Sequence, residues 1–197
     1  MNWKRTVLLI LSLGLIGAAS VYADDIYETI RAKKTTVQVS GKTISGYSIQ
    51  SNGKLLVPMD ELTETMQAFV EHNGDEVTIH KPNVHIFLFS VAKDKITSPF
   101  GYVTKGGEYD FAIFTQADSL AKPVESIKYE IIDPNGEKVY TAKYPLKIKE
   151  DYFWQITPTI TLKFQHTGEY KVYVYMQLDP QGDYQLVSKK VIKSLPK

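Results

Sequence analysis

Four histidines, thirteen tyrosines and no cysteine set the chemistry open to this chain. Without a thiol there is no cysteine nucleophile, no lipid attachment through sulfur and no disulfide, so the fold must hold on packing alone. Gly41-Lys42-Thr43 lacks the upstream glycine of a phosphate-cradling loop, because Thr36 stands in its place. Gly46-Tyr47-Ser48 belongs to no nucleophile elbow. His72, His80 and His85 fall close together, with Glu71 and Glu76 able to supply oxygen, yet no His-x-His or His-Glu-x-x-His spacing occurs. Half-exposed positions at strand ends account for these imidazoles, and no metal is expected. Asp133, Asp179 and Asp183 read as turn residues, since a calcium loop needs acids at alternating positions closed by a glutamate. No catalytic residue and no cofactor are expected.

Aromatic side chains remain. Along Tyr170-Lys171-Val172-Tyr173-Val174-Tyr175-Met176 a strand sends Tyr170, Val172, Val174 and Met176 to one face and Lys171, Tyr173 and Tyr175 to the other. If the aliphatic set is core, Tyr173 and Tyr175 face outward. Together with Tyr129, Tyr152 and Trp154 they could stack on sugar rings or anchor a protein partner. Cross-strand aromatic pairing that merely stabilises a sheet is the plainer account of the same residues.

The elements that would position these residues fall into two halves. Thr35 to Val39 and Thr43 to Ile49 alternate around Gly41-Lys42, a hairpin pattern. Leu55-Leu56-Val57 ends at Pro58, which starts a helix with Asp60, Glu61 and Glu64 near its positive end. Met59, Leu62, Met66 and Phe69 make its apolar stripe. Asn73-Gly74-Asp75 joins two further strands, and Asn83 to Phe89 supplies another. After a loosened stretch between Lys93 and Gly107, strand-like runs recur at even spacing from Tyr109 to Val191. Asp133-Pro134-Asn135-Gly136 and Asp179-Pro180-Gln181-Gly182 are near-copies of one turn, with each glycine suited to a left-handed position. Gly168-Glu169-Tyr170-Lys171-Val172 has the form of a tyrosine corner. The expected fold class is a small α+β N-terminal module over residues 24–96 followed by an all-β immunoglobulin-like sandwich over 97–197, after a signal peptide at 1–23.

Val37-x-Val39-x-Gly41-Lys42, Asn52-Gly53-Lys54-Leu55-Leu56-Val57-Pro58-Met59, Leu62, Met66 and Val77-Thr78-Ile79 carry a family resemblance over roughly residues 35 to 89. This stretch resembles the copper amine oxidase N-terminal-like, or stalk, domain of secreted Gram-positive proteins. The resemblance implies an extracellular α+β appendage with no copper site and no oxidase chemistry. Gln67-Ala68-Phe69 departs from the Leu-Gly pair common after the helix in that family.

Lys4 and Arg5, the apolar run Val7 to Ile16, and Val21-Tyr22-Ala23 read as a signal peptide cleaved before Asp24, so the chain is expected to act outside the cell, with no membrane insertion once it is cleaved. Lys+Arg number 23 and Asp+Glu 22; without Lys4 and Arg5, 21 basic residues meet 22 acidic ones. With no run of like charge long enough to build a phosphate-tracking patch, nucleic acid is not an expected partner. The expectation is a secreted, non-catalytic binding or adhesion module of the cell envelope whose partner is cell-wall glycan or an extracellular protein. Alternatives are a protease inhibitor presenting the segment from Lys143 to Phe153, or an accessory subunit of an envelope enzyme.

Overall fold

The structure, a computed structural model, describes residues 33–39, 42–44, 48–73 and 76–197. The expected signal peptide and Gly74-Asp75 of the Asn-Gly turn lie outside the described residues. The described chain divides into two compact units, residues 33–34 with 49–56 and residues 35–48 with 57–197. In the smaller, strands β1 (Lys33–Thr35), β4 (Ser48–Ser51) and β5 (Lys54–Leu56) form a three-stranded sheet in the order β1-β4-β5. Asn52 and Gly53 turn β4 into β5, both at positive φ (49° and 74°), the conformation for which a two-residue hairpin selects Asn-Gly.

The larger unit opens with the short pair β2 (Gln38–Val39) and β3 (Lys42–Thr43), then helix α1 (Met59–Met66). Pro58 sits at the N-cap without a side-chain cap bond, and Gln67 closes the helix in the left-handed conformation, φ 57°. The amides of Gln67 and Ala68 then bond back to the carbonyls of Glu64 and Thr63. The expected stripe runs past this stop: Phe69 is not a helical residue but the first of strand β6 (Phe69–Asn73), and its side chain lies in the main hydrophobic core. β6 pairs with β7 (Glu76–His80).

Two five-stranded sheets share that core. One has the order β10-β17-β16-β12-β13, from β10 (Tyr102–Thr104), β12 (Val124–Ile132), β13 (Lys138–Ile148), β16 (Gly168–Gln177) and β17 (Gln185–Leu195). The other has the order β14-β11-β8-β9, with β15 also on β11, from β8 (Asn83–Ala92), β9 (Lys95–Pro99), β11 (Glu108–Asp118), β14 (Phe153–Ile156) and β15 (Ile160–Lys163). Every pairing is antiparallel except that of β10 with the last strand. The result is an immunoglobulin-like β-sandwich.

Alternation builds its core. Ile127, Tyr129 and Ile131 on β12 and Val172, Val174 and Met176 on β16 face Phe111, Ile113, Ile86 and Leu88 of the other sheet. Phe164 stacks edge-on against Tyr170, ring centroids 4.7 Å apart. The Tyr170 hydroxyl accepts the His166 amide at 2.9 Å, four residues upstream, the bond of a tyrosine corner. The two Asp-Pro turns differ in one respect. Asp133 and Asp179 each accept the amide two residues on, but only Gly136 is left-handed (φ 89°), and Gly182 has no positive φ.

The expected α+β module is not formed. Among the described residues the N-terminal portion is short strands and one eight-residue helix, and its last strand belongs to the sandwich. Two turns of helix bury too little to organise a domain. Val84-His85-Ile86-Phe87-Leu88-Phe89 is apolar on both faces; Ile86 and Leu88 are buried, Phe87 on the opposite face is exposed, and β8 runs between β11 and β9. Residue 96 lies within β9, where Ile96 is the cross-strand partner of Val91.

Candidate functional site

The five aromatic residues singled out by sequence go to three places. Tyr173 and Tyr175 lie on the outer face of the β10-β17-β16-β12-β13 sheet, as alternation with the fully buried Val172, Val174 and Met176 dictates. Their rings are 6.2 Å apart and tilted by 36°. Tyr129 is 0% exposed and belongs to the inner face, so it cannot join them. Its hydroxyl donates to Thr115 Oγ1 at 3.0 Å, and this partner on the facing sheet lets the phenol sit in the core between Ile127 and Ile131. Burial pushes its pKa above the ordinary tyrosine value. Tyr152 and Trp154 are exposed at the edge of the other sheet, Tyr152 in the connection before β14 and Trp154 on β14 itself.

Around Tyr173 and Tyr175 the register assembles an interleaved lysine–tyrosine face. Tyr175 is opposite Lys128, and Lys128 is opposite Lys143; one pair along, Lys189, Tyr173, Glu130 and Thr141 make a second row. The Lys128 ammonium stands 4.2 Å from the Tyr175 ring centre and 4.9 Å from that of Tyr184, and Lys143 is 4.8 Å from Tyr184. Glu130 receives Lys138 at 2.7 Å and Lys128 at 3.2 Å. Burial pushes the Glu130 carboxyl up, but its bonds to Lys138 and Lys128 and their charges outweigh that and hold it below the usual glutamate value. Burial, with Glu130, Tyr173 and Glu64 nearby, pushes Tyr175 up to about 12.

A groove of about 980 Å³ opens between α1, β6 and the β16–β17 hairpin, with Tyr175 in its wall beside Glu64, His72 and Asp183. Gln185 braces it: its side-chain carbonyl accepts the Val70 amide at 2.6 Å and its NH2 donates to the Val70 carbonyl at 3.2 Å, so one amide side chain imitates a strand partner. An ion pair between Lys122 and Glu71 ties the far wall.

Trp154 belongs to an aromatic cluster that the sequence reading did not assemble. On the outer face of the β14-β11-β8-β9 sheet its ring lies nearly parallel to Phe114, centroids 6.5 Å apart, and Phe114 meets Phe87 and Phe89 at 6.2 and 6.4 Å. Trp154 is 68% and Phe87 44% exposed, and Val91, Ile96 and Ile156 continue the apolar surface. His85 and Gln116 are register partners at its margin. The available signal was the two-faced apolar run of β8, since a strand buried on one side only needs polar residues on the other.

Among the described residues no group of three or more metal-ligating side chains could hold an ion. His80 Nε2 donates to the Ser119 carbonyl at 2.6 Å, which gives that imidazole a structural partner. The segment expected to protrude, Lys143 to Phe153, is mostly strand: β13 runs to Ile148 and β14 starts at Phe153. The Leu120 amide holds the connection between them through the Asp151 carbonyl at 3.0 Å.

No protein-family model matches the chain, and no curated protein matches it. Similar solved structures include the CARDB domain of a Pyrococcus furiosus protein, solved in complex with di-metal ions: 12% identity over 59% of this chain and 96% of that one, TM-score 0.37. The C-terminal domain of wzt shares 10% identity over 66% of this chain and 78% of its own, TM-score 0.36. At these scores the likeness says nothing of what this chain binds.

Proposed function

We propose that this chain is a secreted, non-catalytic binding module of the cell envelope that holds an extracellular protein through the outer face of the β14-β11-β8-β9 sheet. The observation that carries the reading is the aromatic cluster of exposed Trp154 and Phe87 with half-buried Phe89 and Phe114, in which Phe87, Phe89 and Phe114 touch one another and Trp154 stacks on Phe114. Contiguous apolar surface of this kind marks protein–protein sites, and tryptophan is the side chain most enriched among residues that dominate binding energy. The extracellular setting is supported by the signal-peptide pattern of residues 1–23. The same face could seat the module on an envelope enzyme as its accessory subunit.

The test is co-purification from envelope extract with the full secreted chain and its Trp154→Ala, Phe87→Ala and Val139→Ala variants. A partner retained by the parent and by Val139→Ala but lost from Trp154→Ala and Phe87→Ala, all four with melting temperatures within a few degrees, supports the reading. Retention by all four, or by none, contradicts it.

A further inference from the structure

We propose that the opposite face, the outer side of the β10-β17-β16-β12-β13 sheet, binds a linear anionic polysaccharide. This goes beyond the protein-binding reading and does not depend on it, because the residues lie on the other sheet of the sandwich. Basic and acidic residues are evenly matched along the chain, but the pleat sorts them. Lys128, Lys138, Lys143, Lys171, Lys189 and Lys193 share one face through the register of β13, β12, β16 and β17; the acids of those strands are Glu125, Glu130 and Glu169, the last opposite Lys193. Lys171 and Lys193 flank the buried Val172 and Ile192, which fixes their side chains outward.

Two features give this face its ligand class. Lys143, Lys171 and Lys193 form no ion pair among the described residues, so their charge is available to a polyanion. Tyr173 and Tyr175 lie between the lysines on the same sheet face, where ring faces meet sugar C–H groups as ammonium groups meet carboxylate or sulfate. At one margin Glu61 and Glu64 of α1 line a small pocket with Tyr173 and Lys189, so the polyanion is placed on the part of the face that carries Lys143, Lys171 and Lys193. Across β12 and β13, Lys128 and Lys143 stand directly opposite each other, on neighbouring strands about 5 Å apart.

Alginate, neutral dextran and a single-stranded oligonucleotide are the probes, titrated into the full secreted chain at low salt and again at physiological salt. Alginate should bind with an affinity that falls steeply with salt, and dextran should bind at least tenfold more weakly. Lys143→Glu with Lys171→Glu and Lys193→Glu should weaken alginate at least tenfold with an unchanged melting temperature. Lys163→Glu with Lys95→Glu, on the other sheet, should leave it within twofold. Should the triple variant unfold, Lys→Gln changes at the same three positions should still weaken alginate at least threefold. No alginate binding at low salt, equal binding of dextran, equal loss in both charge-reversal variants, or tighter binding of the oligonucleotide would each overturn the proposal.

Discussion

At the scale of single residues, surroundings decide what each tyrosine does. Tyr175 alternates with the aliphatic Val174 and Met176 and lies half-covered on the outer face, whereas Tyr129 shares the face of Ile127 and Ile131 and is core. Thr115 offers the buried Tyr129 hydroxyl an acceptor inside the sandwich. Alternation places Tyr173 and Tyr175 outward and, along Ile127 to Ile131, Tyr129 inward; its acceptor, 14 residues away in sequence, is the part that the sequence alone does not show. A raised tyrosine pKa means that the fold favours the neutral phenol. With Tyr175 at about 12 against an ordinary value near 10, that contribution is whole below pH 10 and is lost as pH rises through 12. Guanidinium midpoints measured from pH 9 to 12 should therefore fall, and fall less in Tyr175→Phe, which keeps the ring beside Lys128 but cannot ionise. Parallel curves would show that Tyr175 is not the group responsible.

At the scale of elements, the strands were legible and the partners were not. Period-2 alternation gives β12, β16 and β17 their inner and outer faces, and the Asp-Pro turns their ends. The loosened stretch after Lys93 reads in sequence as a linker, but it begins with the hairpin turn from β8 to β9. Lys93 and Asp94 both take positive φ there, 52° and 60°, between the paired Ala92 and Lys95. Two left-handed residues make the mirror-image turn that matches strand twist, and neither Lys nor Asp announces it as Asn-Gly would. Replacing Lys93 by Asn and Asp94 by Gly should thus stabilise the chain by about 1 kcal/mol. For a chain of this size that is a rise of about 2–4 °C in melting temperature by calorimetry. A fall would mean that the turn is held by its side chains and not by backbone preference. The helix teaches the converse lesson: its stripe was legible, but its end was set by Gln67 turning left-handed and releasing Phe69 to the sandwich core.

At the scale of the whole molecule, the sandwich half of the fold was readable because turn chemistry and strand spacing agree from Tyr109 onward. The α+β half was not, because a two-turn helix looks the same in sequence whether it organises a module or lies at the margin of a larger one. The candidate faces were the least legible part. A face is a property of register between distant strands: Phe87 reaches Phe114 through β8 and β11, and Lys128 reaches Lys143 through β12 and β13. The central claim, that the exposed aromatic face is where a protein partner sits, is tested most directly by placing a photo-crosslinking phenylalanine analogue at Phe87 in the producing cell. Position 139, an exposed valine on the other sheet, serves as control. The account predicts one discrete protein adduct from position 87 and none from position 139; no adduct from 87, or the same adducts from both positions, would contradict it.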